Sequence, residues 1–364
     1  MHRKLHHPCT TLALAAVLTS PVGHAATTRC VSDVAGLDAA LKEWVVTAPD
    51  ADARFVIQMQ SGNYALPASS VSEVYQYSST TPVALELRGG YASACTDRTL
   101  DARNTVIDGG GFANARLHLL NVNQDALIEG ISFTGLTGGV QIIHRLEAPA
   151  TGHHFRVSHA RIVGNIAADF LTYTMRLWGF GNASGAEVVL DNSLIADNLT
   201  SSSTPVLLST GNNGRIAVNS SSVTGNIASS GASMLSLQHW NAVSGLDIVF
   251  DSSIAWNNGS GAFDLDVSNA PIPPRIDFGL IGQLRGALAM GSSYLSEDPQ
   301  FANPTAGEYR LAPGSPALEA GNPMPADALP DFDLIGSPRV QGVVPDLGPF
   351  EGEFSERVFV NGFE

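Results

Sequence analysis

Four aspartates in the second half of the chain have the type and spacing that acid–base chemistry needs. Asp191 and Asp251 occupy the same position of two similar stretches, VVLDNSLIADN (188–198) and IVFDSSIAWNN (248–258). Two carboxylates with separated pKa values in one cleft can serve as general acid and general base. Set two copies apart with Asn219 between them, they would lie roughly 9–10 Å from each other at ordinary inter-strand spacing, the far end of what such a pair tolerates. Asp264 and Asp266 are two residues apart and would share one strand face, where they read as a solvated face or a weak Ca²⁺ site. Tyr173, Arg176 and Trp178 form one local cluster, and His239 and Trp240 form another. Aromatic faces beside an arginine suit stacking on sugar rings, and ordinary packing under a loop is the plainer reading. His144, His153, His154 and His159 show no metal-ligand spacing and read as loop or surface residues.

These residues are positioned by a repeat. FRVSHARIVGN (155–165), VVLDNSLIADN, IAVNSSSVTGN (216–226) and IVFDSSIAWNN align without gaps, and their last residues are spaced by 33, 28 and 32. The first position reads Phe155, Val188, Ile216, Ile248; the third reads Val157, Leu190, Val218, Phe250; the eighth reads Ile162, Ile195, Val223, Ala255. The eleventh is Asn165, Asn198, Asn226 and Asn258. A weaker copy, ALIEGISFTGL (126–136), keeps Ile128, Ile131 and Phe133 but lacks the final Asn. Alternation at period two indicates strands, and a repeat of this length indicates a solenoid. A third apolar segment follows each Asn: MRLW (175–178), VLL (206–208), MLSL (234–237) and FDL (263–265). Three short strands and three turns per copy predict an all-β parallel β-helix, each copy one rung stacked on the next. At the turn, the recurring Asn would adopt left-handed backbone geometry and hydrogen-bond along the stack as amide ladders do. Asn182, Asn198, Asn219 and Asn258 also head N-x-S/T sequences, and ladder residues would be poorly accessible to a glycosylating enzyme.

Composition limits the function classes. Only 15% of residues are charged and 36 are Gly, which fits a turn-rich β protein; 44% hydrophobic residues exclude wholesale disorder. MHRK, then TLALAAVLTSPV, then small residues before Ala26 give residues 1–25 the form of a cleaved signal peptide, too short and wrongly flanked to span a membrane. Losing Arg3 and Lys4 with it moves the net charge from −15 to −17. Such a chain repels phosphate backbones, so nucleic acid is excluded as a partner, and a polyanionic glycan would need a local basic cleft. Cys9 leaves with the leader, and Cys30 and Cys95 are expected to form a disulfide outside the cell. No Cys or His spacing suggests a metal site.

Flanking segments complete the solenoid. Val34, Leu37, Leu41, Trp44 and Val45 stand at helical spacing, with Ser32 or Asp33 as N-cap. Such a helix would close the N-terminal end, where a sheet otherwise leaves unpaired edges. From Asp298 the chain is punctuated by Pro and Gly and predicts an irregular wrap, with Asp333, Arg339, Asp346 and Glu351 as ion pairs pinning it. The organisation expected is a signal peptide at 1–25, a capped β-helix over 26–297, a C-terminal wrap over 298–351 and a tail over 352–364.

The leader, LRGGY (87–91), TVIDGGG (105–111), the repeats and the run DPQF…YRLAPGSPALEAG…PDLGPFE (298–351) together resemble secreted bacterial right-handed parallel β-helix proteins of the pectin-lyase-like type. More narrowly, they resemble those with a choice-of-anchor C-terminal region. VFVNGFE (358–364) is similar to short endings on exported proteins of some Gram-negative bacteria; it reads either as a sorting address or as a frayed acidic tail. The resemblance implies a right-handed coil, secretion or display on the outer surface of a bacterial cell, and two possible activities. Lyases of this type use a calcium-binding Asp cluster and a basic proton abstractor, whereas hydrolases use paired carboxylates; neither signature stands in this sequence. The expected function is therefore a non-catalytic interaction or adhesion role with an extracellular glycan or a cell-surface component as partner. The alternative is a lyase or hydrolase of a uronic-acid-containing glycan. No cofactor other than a weakly held Ca²⁺ is expected.

Overall fold

The computed structural model describes residues 26–47, 54–66, 75–79, 83–110, 117–122, 125–137, 140–145, 153–167, 175–180, 185–200, 204–211, 213–228, 231–239, 245, 247–259 and 261–352; for 75–76, 117–122, 140–145, 167, 175–180 and 239 it describes the backbone alone. The signal-peptide, sorting-address and Asn182 expectations fall outside these residues. Among the described residues the chain is a parallel β-solenoid of three eight-stranded sheets. The first sheet runs from Thr27–Val31 to Asp247–Asp251, the second from Tyr75–Ser78 to Leu284–Arg285, and the third from Gly62–Ala65 to Gly279–Ile281.

The repeat maps directly onto this architecture. Positions one to four of each copy give a strand of the first sheet, and positions seven to nine a strand of the third. The apolar segment after the Asn gives a strand of the second. Equivalent residues pair in register: Phe155 with Val188, Val188 with Ile216, Ile216 with Ile248. Ile162, Ile195, Val223 and Ala255 pair likewise in the third sheet. All eight are buried in one continuous interior. In the second sheet, Met175 pairs with Val206 and Val206 with Leu235, so MRLW aligns with LSLQ (235–238) and not with MLSL. This one-residue offset sets the register of the second sheet.

The corners differ from expectation in one respect. The left-handed residue is not the eleventh-position Asn. It is the fifth, His159, Asn192, Ser220 and Ser252, and the tenth, Gly164, Asp197, Gly225 and Asn257. Left-handed geometry one residue earlier turns the chain and leaves the following Asn side chain pointing into the stack. At Gly225 the turn also needs a glycine for space, because a Cβ there would collide with the Tyr309 hydroxyl.

The Asn side chains form a column. Asn165 Nδ2 donates to Asn198 Oδ1 at 3.0 Å, Asn198 to Asn226 at 2.7 Å, and Asn226 to Asn258 at 2.8 Å. Each Oδ1 also accepts a backbone N–H from the copy before it, beginning with Leu136 N in the weaker copy that lacks the Asn. Each Nδ2 also donates to a carbonyl, those of Phe133, Ile162, Ile195 and Val223. Every amide is thus paired through both its oxygen and its nitrogen, which a buried amide requires. A second column lies at the sixth position. Ser193 Oγ accepts from Ala160 N, Ser221 Oγ from Ser193 N and Ser253 Oγ from Ser221 N, each at 3.1 Å. Each serine then donates to the carbonyl two residues before it, Asp191, Asn219 or Asp251.

Both ends of the described solenoid carry added structure. Helix Val34–Val46 starts at Asp33, whose carboxylate accepts the Gly36 N–H at 2.8 Å, so Asp33 and not Ser32 is the N-cap. It seats Leu37, Leu41 and Trp44 on the core, and Trp44 Nε1 donates to the Val83 carbonyl. Cys30 and Cys95 are disulfide-bonded, with Cα atoms 5.9 Å apart, and tie the first strand to the loop after Ala84–Tyr91. After Leu284–Arg285 the chain becomes irregular apart from a hairpin of Phe301–Asn303 and Glu308–Leu311. It covers the outer face of the third sheet in two apolar clusters. Leu194 and Ala196 meet Tyr309, Leu334 and Phe350, and Ile254 and Leu280 meet Leu311, Ala317 and Leu347.

A buried polar knot closes this wrap. Arg339 Nη1 lies 2.7 Å from Glu351 Oε1, both side chains only 2% exposed, and Arg339 Nη2 donates to the Asp346 carbonyl. Asp333 accepts backbone N–H groups of Ile335, Ser337 and Glu351, and Asp346 accepts those of Glu319 and Gly352. Arg339 Nε and Nη1 have no aligned hydrogen-bond acceptor, so the pair compensates burial incompletely. Burial accordingly pushes the Glu351 carboxyl up to about 8, with Arg339 drawing it back and Asp346 adding to the rise.

Two outcomes are expected. Asn226→Leu breaks the column between two intact copies and strands partners on both sides, so it should lower stability by roughly 1–3 kcal/mol in denaturant unfolding; an unchanged midpoint would remove the column from the stability account. Glu351 holds its proton more tightly folded than unfolded. Its contribution is therefore complete below the ordinary carboxylate value of 4.5 and lost as pH rises through about 8. Melting temperature should fall from pH 5 to pH 8.5, and Glu351→Gln should flatten that slope.

Candidate functional site

Asp191 and Asp251 belong to a row at the ends of the first-sheet strands. Ser158, Asp191, Asn219 and Asp251 pair consecutively, so the two carboxylates are two strands apart with Asn219 between them. The row does not face open solvent, because residues 322–332 of the wrap lie across it. Asn322 Nδ2 donates to Asp251 Oδ2 at 2.7 Å, and Asn322 N donates to Ser252 Oγ at 2.9 Å. Asp327 Oδ2 accepts from Asn219 Nδ2 at 2.7 Å and from Arg215 Nη2 at 2.6 Å. The Phe332 carbonyl accepts from Asn192 Nδ2 at 3.0 Å and lies 3.1 Å from His159 Nε2. The space left between the row and Pro325, Ala328 and Pro330 is about 10 Å³, room for one water and no sugar.

The Asp191 and Asp251 carboxyls beneath this roof are shifted in the same direction. Asp191 is 5% exposed, and burial raises its carboxyl pKa against the pull of Arg156, His159 and the Ser158 hydroxyl. Burial also raises the Asp251 carboxyl, against hydrogen bonds from Asn322 and Ser252. Both carboxyls move the same way, whereas acid–base pairs need environments that push them apart. Asp327 moves the other way: burial opposes its charge, but Arg215 and Asn219 more than compensate and hold it low. His159, expected at the surface, is 3% exposed beneath the wrap. Burial lowers its pKa, and the Phe332 carbonyl beside Nε2 makes that nitrogen the protonated one of a neutral ring.

Asp264 and Asp266 are not a solvated face. They are 3% and 6% exposed. Asp264 ends the Asn column: its Oδ1 accepts both the backbone N and Nδ2 of Asn258 at 2.9 Å, and its Oδ2 accepts Gln283 N at 2.8 Å. Asp266 accepts from Ser233 Oγ at 2.6 Å and from Ser268 N at 2.8 Å. Among the described residues, no three His, Cys, Asp or Glu side chains converge as a metal site would require. Tyr173 and Trp240 lie outside the described residues, and only the backbone of Arg176, Trp178 and His239 is described. Arg176 pairs with Leu207 and Trp178 with Ser209, whereas His239 pairs with Thr210. The two clusters therefore occupy different rows of the second sheet.

A larger cleft, about 320 Å³, opens at the edge of the first sheet. Its wall is the last strand, Asp247–Asp251, and Pro274, Arg275 and Asp277 stand opposite. Arg275 Nε donates to Asp277 Oδ2 at 2.6 Å, and Asp251 contributes a carboxyl to both this cleft and the roofed row. The repeat gives no sign of it, because the facing loop belongs to no copy.

The sequence matches no protein-family model and no curated protein. Among solved structures the chain is similar to pectate lyase Pel9A, with a TM-score of 0.32 and 12% identity over 85% of this chain and 90% of that one.

The roof over the row depends on Asp327, whose Oδ2 accepts from both ends of one strand, Arg215 and Asn219. Asp327→Ala should lower the melting temperature at neutral pH and speed amide exchange in 322–332 while leaving exchange in Arg215–Asn219 slow. Equal exchange in mutant and parent would show that the segment is held by other contacts.

Proposed function

We propose that the protein is an exported, non-catalytic β-solenoid with an interaction or adhesion role, its partner an extracellular glycan or a component of a cell surface. The observation that carries this reading is the employment of the candidate acids. Asp191 lies under the wrap with space for one water, and Asp264 terminates the Asn column. Carboxylates committed to backbone and amide donors are poor proton carriers, because protonating them breaks the bonds that hold the corner. The leader-like residues 1–25 and the Cys30–Cys95 bridge support export. Among the described residues no helix is long and apolar enough to cross a membrane.

A second reading is favoured by one observation. Asp251 has a carboxyl raised by burial and borders the 320 Å³ cleft beside Asp247 and Asp277. That set would suit a glycoside hydrolase with Asp251 as the acid. Incubating the mature protein with pectate, alginate and neutral polysaccharides, with and without Ca²⁺, separates the two. Neither unsaturated ends nor reducing sugar should appear, and retention on an immobilised glycan should occur without turnover. Turnover that disappears in Asp251→Ala would overturn the non-catalytic reading.

A further inference from the structure

The outer face of the third sheet holds one residue that does not fit its surroundings. Its seventh-position column reads Ser132, Arg161, Leu194, Ser222 and Ile254, in register and under the wrap. Ser132, Leu194, Ser222 and Ile254 are buried, and the two aliphatic side chains belong to the covering apolar clusters. Arg161 stands among them as a part-buried guanidinium with no hydrogen bond or close ion pair among the described residues. Its nitrogens are not sealed from solvent; they open into a cleft of about 170 Å³ between the sheet and the wrap.

The cleft is cationic in a chain whose net charge is −15. Arg103 and Arg310 stand at it with Arg161. Arg103 is braced by Asp101 through Nε and Nη2, and Arg310 by Glu308 through Nε at 2.9 Å. Three guanidinium groups thus meet two bracing carboxylates, of which Glu308 also lines the cleft, and Arg161 is the one without a direct carboxylate contact. Asp333 faces Arg103 from further off, but its oxygens are committed to the backbone of the wrap. Leu194, Ile335 and Phe350 line the same cleft and form its apolar floor. Burial disfavours the charge on Arg161 and the neighbouring Arg103 adds to that, while Asp101 and Glu308 oppose it from further off. A part-buried cation without a direct partner is costly, and a bound anion offsets the cost.

We propose that this cleft is a binding site for one oxyanion group, a carboxylate or sulfate, with Arg161 as its principal partner. Arg103 and Arg310 flank the group, and the apolar floor takes the carbon skeleton that carries it. Guanidinium suits such a ligand because its planar fork presents paired donors to two oxygens. The ligand class deepens the interaction role proposed above and rests on it. It also supplies the local basic cleft that an acidic glycan needs on an acidic protein.

The test uses the mature protein in low-salt buffer with glucuronic acid, acetate and sulfate as probes and glucose as the neutral control. Calorimetry should show saturable binding of the anions and none of glucose. Arg161→Gln should weaken that binding at least tenfold, and Arg161→Lys should retain part of it. Without added anion, Arg161→Gln should melt no lower than the parent, because it removes an unpaired cation; with anion, only the parent should gain stability. Tighter binding of glucuronic acid than of acetate identifies an acidic sugar as the carrier, and equal binding identifies a small free oxyanion. Absence of saturable binding by the parent, or undiminished binding by Arg161→Gln, overturns the proposal. Glycan retention that Arg161→Gln leaves intact would preserve the interaction role and sink this site. Arg161-dependent binding accompanied by glycan turnover would do the reverse.

Discussion

Everything in this protein depends on equivalent residues stacking one rung apart. A parallel sheet buried on both faces must satisfy each polar group from the strand above or below, since water does not reach it. The Asn column meets that demand at the corner where the backbone leaves one sheet for the next. After the first Asn, each Oδ1 takes a backbone N–H and an amide N–H from the preceding copy, and every Nδ2 reaches the carbonyl of the middle residue of the preceding copy's third-sheet strand. The corner thus transmits register: shifting one copy by a residue would break two bonds on each side and turn the apolar positions outward.

That constraint also decides what the acids can do. A column of amides has to stop, and a terminal Oδ1 needs a donor just as a terminal Nδ2 needs an acceptor. At one end Leu136 supplies a backbone N–H and no side chain, and at the other Asp264 supplies an acceptor-only carboxylate. The acid chosen for its spacing with Asp266 is therefore explained by the four asparagines before it. The row of Asp191 and Asp251 follows the same logic at the other corner, except that its partners come from the wrap.

How much of this was legible in the sequence follows from the range of each interaction. The apolar first, third and eighth positions are set by strand alternation within a copy, and the Asn by comparison between copies, so both can be read from aligned repeats. The serine column at Ser193, Ser221 and Ser253 was equally legible in the alignment and was hidden only by the abundance of serine nearby. The left-handed corner was misassigned because Asn and Gly both suggest it, and the tenth position mixes Gly164 and Gly225 with Asp197 and Asn257. His159 was out of reach: its partner, the Phe332 carbonyl, lies 173 residues along the chain. No periodic signal connects a rung to a non-repeating wrap, so the roof over Asp191 and the cleft at Asp251 are visible only in the folded chain.

The wrap accounts for the remaining departures from the repeat. Where the third sheet has one face on the core and the other under residues 301–350 it has no solvent side, so the strands LIA (194–196) and SVT (222–224) are buried at every residue, whereas Gly62–Ala65 and Thr105–Asp108 keep an alternation. In such a strand an outward position selects for small or apolar side chains, as Leu194 and Ile254 show. Arg161 breaks that rule one rung earlier, and Val163, on the same strand, still packs against the apolar cluster beside it. The wrap therefore reaches this rung but leaves a gap around the guanidinium. A gap lined by Leu194, Ile335 and Phe350 could have been closed by an apolar residue at 161 with no loss of strand pairing, because backbone register is set by the columns on either side. The cation is thus not something the solenoid needs in order to fold, which is the property expected of a residue kept for binding.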